Sequence, residues 1–201
     1  MTYVLSTQSA IPAGSLVAAP HPVLRAAGLL LRPWDTADAP VFLDAYRDPE
    51  IRRWHTRSPA SEDQAREWFA GYRQDWAQEK AANWAVTRDG GEVLGRIALR
   101  GMNLDDGVAE CAYWVLPAAR RTGVASGALT AVSDWALREA GFHRLELDHS
   151  TRNEASCRVA AKSGFVLEGT KRSAAVHGDG RHDMHLHARV PGHGRPAPTD
   201  Y

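Results

Sequence analysis

The chain has 201 residues, 44% of them apolar, and its 24 basic and 24 acidic residues cancel. That size allows one domain with a full core, and a net charge near zero argues against a dedicated nucleic-acid binder and against an electrostatic anchor on an anionic membrane. The two cysteines, Cys111 and Cys157, need no disulfide framework and read as reduced thiols of a cytoplasmic protein.

Residues 1–27 are rich in Ala, Pro and Ser without a sustained period and read as a flexible or extended leader. Pro12, Pro20 and Pro22 interrupt it, and it lacks the pattern of a signal peptide. No apolar run approaches the roughly 18 residues of a membrane-spanning helix. The domain proper is expected over residues 28–190. Leu29–Arg32 reads as its first strand. Thr36 is placed to cap a helix with Val41, Phe42, Ala45 and Tyr46 at helical spacing, and Asp48-Pro49 ends it. Ile51 to Pro59 is a basic, aromatic connector. Ser61 opens a second helix, with Gln64 at the capping-box position and Trp68, Phe69, Tyr72 and Trp76 as its stripe.

Trp84–Thr87 and Val93–Leu99 flank Asp89-Gly90-Gly91 and predict a hairpin. Val108–Leu116 is the next strand, after a loop at Met102–Gly107. A helix over Val124–Ala140 is closed by Gly141. Arg144–Asp148 predicts a strand and Glu154–Ser163 a helix ending at Gly164. Phe165–Thr170 and Met184–Arg189 are the last strands, joined by a loop containing Gly178-Asp179-Gly180. Residues 191–201 hold prolines and glycines and predict a disordered tail. The order β-α-α-β-β-β-α-β-α-β-β defines an α/β domain with a mixed sheet.

The most informative stretch runs from Glu110 to Ala125. There an apolar strand enters a basic, glycine-containing turn and a helix follows at once. Such a turn exposes backbone N–H groups at a helix N-terminus, a site for an anion such as a pyrophosphate. Arg120 and Arg121 add positive charge, and Gly123 permits close approach of the backbone.

Arg120-Arg121-Thr122-Gly123-Val124-Ala125, in that frame, resembles the pyrophosphate motif of the GNAT superfamily of acyl-CoA-dependent N-acetyltransferases. Asn153-Glu154-Ala155-Ser156, followed by Lys162-Ser163-Gly164-Phe165, resembles the family's asparagine-led helix ending in Gly-Phe. Leu29 to Trp34, Asp48 to Ile51 and Ala112 to Val115 are similar to the RimJ/RimL branch, which acetylates protein N-terminal amines. The resemblance spans about Leu29 to Arg189 and implies a GNAT-like sheet flanked by helices. Acetyl-CoA is then the implied cosubstrate and a primary amine the acceptor. No metal, nucleic acid or membrane is implied, and the frequent dimers of the branch leave a homodimer as an expectation.

Residue by residue, the resemblance implies that the backbone of Trp114, Val115 and Leu116 pairs with the pantetheine arm of CoA. Residues Arg120, Arg121, Thr122, Gly123, Val124 and Ala125 cradle its pyrophosphate, with Asn153 and Lys162 also on the cofactor. Glu110 is the candidate base. Alternation puts it with Ala112, Trp114 and Leu116 on one face and Cys111, Tyr113 and Val115 on the other, unless a bulge intervenes. The position where many members carry an acid tyrosine is Ala160 here, which leaves Ser156 as the hydroxyl near the thiol. Arg53, Trp54, His55 and Tyr113 are the acceptor-side candidates, and their charge suits an acidic substrate better than a polycation.

The two cysteines are expected to be inert packing residues. His177, His182, His185, His187 and His193 lack a closed donor set at metal-ligand spacing, although His185 and His187 share a strand face. A peptide or protein N-terminus is the leading acceptor. A small-molecule amine such as an antibiotic or polyamine, with succinyl-CoA as donor, and a non-catalytic acyl-CoA-binding protein are the alternatives.

Overall fold

The computed structural model describes residues 7–26 and 28–192. Its eight strands are β1 (Leu24–Ala26), β2 (Leu29–Pro33), β3 (Ala82–Arg88), β4 (Val93–Asn103), β5 (Val108–Val115), β6 (Arg144–Ser150), β7 (Val166–His177) and β8 (Gly180–Arg189). They form one sheet in the order β1-β2-β3-β4-β5-β6-β8-β7. Every neighbouring pair is antiparallel except β5 and β6. Helices α1 (Ala39–Ala45), α2 (Pro49–Trp54), α3 (Glu62–Ala77), α4 (Val124–Arg138) and α5 (Glu154–Lys162) flank it. The mixed α/β class expected from the sequence is the one observed.

The two faces of the sheet bury different side chains. Leu129, Val132 and Ala136 of α4 pack on Leu31, Ile97, Leu99, Ala109, Cys111, Leu145 and Leu147. On the other face, Phe42 of α1 and Phe69 of α3 pack with Trp34, Ala85 and Trp114. Strand alternation generates both layers: Ala109 and Cys111 of β5 serve the first, Trp114 the second.

Several boundaries differ from expectation. Asp48-Pro49 does not simply end a helix. The Asp48 side chain accepts from Ile51 N–H at 2.9 Å and Pro49 is the first residue of α2, the pattern of an N-cap followed by proline. The connector therefore begins as a helical turn. Asp35, rather than Thr36, caps the first helical segment, in a box completed by Asp38. Gln64 Oε1 accepts from Ala60 N–H and not from Ser61, although Ser61 caps α3 as expected. Residues 171–183 are hairpin rather than loop. Strands β7 and β8 pair as far as His177 and Gly180, and the register shift between Lys171 and Ala175 accommodates Ser173 at φ +53°.

Residues 9–26 lie along the domain as an arm. Ala10 and Ile11 donate backbone hydrogen bonds to Asp105 and Leu104, at 3.0 Å each, and Ile11 is buried. Glu79 accepts from Gly14 and Leu16 N–H groups at 2.6 and 2.8 Å. Trp84 Nε1 donates to Pro22 O at 2.8 Å. The His21 ring sits 4.7 Å from that of Trp76 and 4.8 Å from that of Trp84, and the arm then becomes β1. The order of the arm comes from contacts with residues far along the chain.

Burial lowers the His21 pKa from 6.5 to about 4. In the unfolded chain the ring titrates near its ordinary value, so between these values the unfolded state binds more protons. The contribution of the arm is full above about pH 6.5 and is lost as pH falls toward 4. Urea unfolding at pH 7.5 and pH 5 should show a lower midpoint in acid. His21→Leu should lose less over that interval than the wild type; equal acid losses in the two proteins would refute the assignment.

Candidate functional site

The parallel pairing of β5 and β6 is short. Val108, Ala109 and Glu110 pair with Arg144, Leu145 and Glu146, and no register continues beyond them. Residues 111–115 and 147–150 thus diverge and open a cleft whose vertex is at Glu110. The β4–β5 register is unbroken from Gly95/Val115 to Arg100/Glu110, and the irregularity lies between Arg100 and Asn103. The alternation expected for β5 is therefore kept. Leu116 N–H donates to Leu94 O at 2.9 Å, so Leu116, Trp114 and Ala112 spend their backbone groups on β4. The backbone of Cys111, Tyr113 and Val115 turns toward the cleft.

After β5 a 3-10 turn at Pro117–Ala119 leads into the basic turn. Arg121 has φ +63° and Gly123 φ +86°. A Cβ on Gly123 would meet no protein atom within 4 Å, so its left-handed backbone, and not crowding, requires glycine. Gly123 is the N-cap of α4 and supplies no capping side chain, which leaves the first N–H groups of the helix to solvent or a ligand. Arg121, Thr122 and Gly123 are exposed, whereas Val124 is buried. Arg120 is ion-paired with Asp48, and its N–H donates to Pro117 O at 3.2 Å. Burial pushes Asp48 up, but Arg120 and the amides of Ile51 and Glu50 outweigh it and hold the carboxyl below its usual range. Of the two arginines, only Arg121 lies open at the turn. Ser163 Oγ donates to Ser126 O at 3.3 Å, which brings the end of α5, with the exposed Lys162, beside the start of α4.

Across the cleft, Asn153 caps α5 by accepting from Ser156 N–H at 3.1 Å. Ser156 is buried, and its Oγ shares a 2.9 Å hydrogen bond with the Tyr113 hydroxyl. Burial pushes the Tyr113 phenol up to about 12 despite the opposing bond to Ser156. Tyr113 therefore reaches the hydroxyl group of the α5 wall, which sequence spacing did not reveal because the pair is 43 residues apart. Ala160 is wholly buried in the core. The Trp114 side chain belongs to an aromatic cluster with Phe42 and Tyr46, at 5.9 and 6.0 Å.

Glu110 forms an ion pair with Arg100, its neighbour across β4. Above the cleft, Arg53 lies over the Trp54 ring at 4.7 Å, and that ring meets His177 at 5.8 Å and His182 at 6.3 Å. The end of α2 thus touches the β7–β8 hairpin. His55 is half-buried, with a pKa lowered to about 4 by burial and then by Arg96, against a hydrogen bond to the Tyr113 backbone. Its ring is neutral at physiological pH and adjoins the inner edge of β5.

Residues 28–166 match a family model described as the acetyltransferase (GNAT) domain. The N-acetyltransferase YoaA of Bacillus subtilis (strain 168) is 25% identical over 171 residues, which cover 84% of this chain and 97% of that protein. The ribosomal-protein-serine acetyltransferase of Escherichia coli (strain K12) is 28% identical over 99 residues, or 49% of this chain and 55% of that protein. Among solved structures, RimL, a ribosomal L7/L12 α-N-protein acetyltransferase in complex with coenzyme A, has a TM-score of 0.79. The match is 19% identical and covers 86% of this chain and 100% of that one, a likeness of fold. With most of its length inside the family model, this chain belongs to the GNAT acetyltransferases, the acyl-CoA-dependent transferases whose fold it shares with RimL.

Proposed function

We propose that the protein transfers an acetyl group from acetyl-CoA to the α-amino group of a protein or peptide N-terminus. The observation that carries this reading is the unpaired inner edge of β5, which runs from the uncapped start of α4 to the Tyr113–Ser156 pair. A pantetheine arm has amides that suit such an edge as an added strand. The edge favours Val115 and Tyr113 as its backbone partners over Trp114 and Leu116. The pyrophosphate would take the N–H groups of residues 121–125 and the charge of Arg121, with Lys162 nearby. Arg120, held by Asp48, would brace the turn.

In the reaction the amine nitrogen attacks the thioester carbonyl, and the carbonyl oxygen gains the negative charge of a tetrahedral intermediate. Collapse forms the amide and expels the CoA thiolate. Glu110, at the vertex of the cleft, would accept the amine proton through water. The Tyr113–Ser156 pair would donate a hydrogen bond to the leaving sulfur. Full proton transfer from the phenol is disfavoured, since a group held near 12 is a weaker acid than a thiol of about 8.5.

The peptide acceptor is supported by the activities of the E. coli relative, a ribosomal-protein-serine acetyltransferase, and of RimL, an α-N-protein acetyltransferase. It is also supported by the exposed Arg52, Arg53 and Arg57 of the basic connector, which would repel polyamines and aminoglycosides. A thiol-release assay with acetyl-CoA should show turnover of peptides with free N-termini and none of the same peptides N-formylated. Turnover of polyamines or aminoglycosides alone would overturn the peptide assignment. CoA binding by calorimetry without release for any amine would overturn the reaction itself.

Glu110→Gln should lower kcat by roughly 10²-fold with KM for acetyl-CoA little changed. If Glu110 serves only its pair with Arg100, then Glu110→Gln and Arg100→Gln will instead lower stability alike and leave kcat near wild type. Tyr113→Phe removes one neutral hydrogen bond, worth about 1 kcal/mol. Its kcat should fall roughly 5- to 10-fold; a loss of roughly 10³-fold would mean that the phenol supplies a proton.

A further inference from the structure

A second cluster lies on the α5 face of the sheet. The β6–β8 register sets His149 opposite His185 and Leu147 opposite His187, so the three imidazoles project from one face. Helix α5 lays Cys157 over them. One donor atom from each of His149, Cys157, His185 and His187 lies within 4.8 Å of all the others. His149 and His187 are 5% and 2% exposed. Yet His149 Nε2, His185 Nδ1 and both ring nitrogens of His187 are buried without a hydrogen-bond partner.

That arrangement is costly as it stands, because a buried polar atom left unpaired gives up its hydration without replacement, and an aliphatic side chain at any of these positions would avoid it. The orphaned atoms converge, which is what a shared ligand would require. His149 Nδ1 donates to Ser150 O at 2.9 Å. This fixes its tautomer and leaves the Nε2 lone pair free, as an outer hydrogen bond does for a ligating histidine.

From this geometry we infer that His149, Cys157, His185 and His187 form a tetrahedral site for a borderline-soft divalent metal, with Zn²⁺ the expected ion. Three imidazole nitrogens and one thiolate sulfur select zinc-like ions, and the absence of an oxygen donor from the set disfavours Mg²⁺ and Ca²⁺. Bond lengths of about 2.0–2.3 Å imply donor separations of about 3.3–3.6 Å, so a contraction of at most about 1.5 Å from the 4.8 Å bound closes the site. The metal would tie α5 to β6 and β8 directly beside Ser156. Three of the four donors come from β6 and β8 and the fourth from α5, elements that sequence spacing could not relate. The inference is independent of the acyl acceptor.

The test uses the full chain stripped with a chelator and titrated with Co²⁺. One equivalent should give the intense visible bands of tetrahedral cobalt and a near-ultraviolet thiolate-to-cobalt band, and Zn²⁺ should displace both. Zn²⁺ should raise Tm, whereas Mg²⁺ at the same concentration should not. Cys157→Ser, at a partly exposed position, should lose the thiolate band and weaken binding at least tenfold. His185→Gln should weaken binding likewise while circular dichroism stays native. Weak octahedral spectra, or bands unchanged in Cys157→Ser, would overturn the site.

Discussion

The divergence of β5 from β6 is the constraint on which the rest of the molecule depends. Parallel strands that pair along their length leave no room between them. Here pairing stops at Glu110 and Glu146, while each strand stays fixed on its other side, β5 to β4 and β6 to β8. The two halves of the sheet are therefore free to twist apart. The separated edge of β5 keeps backbone donors and acceptors that water or a ligand must satisfy. Helices α4 and α5 begin at opposite lips of this opening, so an uncapped helix N-terminus and a hydroxyl pair lie at its two ends without any further device.

Asp48 links the two functional regions of the surface. One carboxylate oxygen accepts from Ile51 N–H and so starts α2, and the same oxygen pairs with Arg120. The helix carrying Arg53 and Trp54 is thereby attached to the turn that precedes α4. The charged pair holds Arg120 against the start of α2, while Arg121 stays exposed. With Arg120 neutralised, the field at the turn comes from the helix N-terminus and from Arg121. Replacing Asp48 would free a positive charge at the turn but remove the cap of α2, so the two effects on ligand and rim would appear together.

What was legible in the sequence was whatever depends on near neighbours. Gly123 and Gly141 mark left-handed helix ends, and Ser61 and Asn153 cap the helices they precede. The alternation of β5 is readable because nothing interrupts it. What was hidden depends on distant partners. Asp48-Pro49 reads equally as a stop or a start until Ile51 is seen to bond back to it. The arm has no period of its own because Trp76, Trp84 and Asp105 supply its order. His149, Cys157 and the pair on β8 become one group only when β6, α5 and β8 are laid side by side.

The loss of tyrosine at the position of Ala160 has a physical answer in the same cleft. Ala160 is fully buried, and a phenol placed there would have to displace core. Tyr113 instead projects from the opposite strand and reaches Ser156 at 2.9 Å. Its high pKa makes it a poor acid but keeps it a donor throughout the physiological range. A thiolate is itself a good leaving group: once the attacking nitrogen has lost its proton, the intermediate can expel either the anion of a thiol of pKa about 8.5 or the far more basic amide anion, and it expels the thiolate. Expulsion of sulfur from the intermediate therefore does not require a strong acid. In the proposed reaction a fixed hydroxyl pair that solvates the sulfur as charge develops would suffice, and the harder step left to the protein would be keeping the attacking amine neutral.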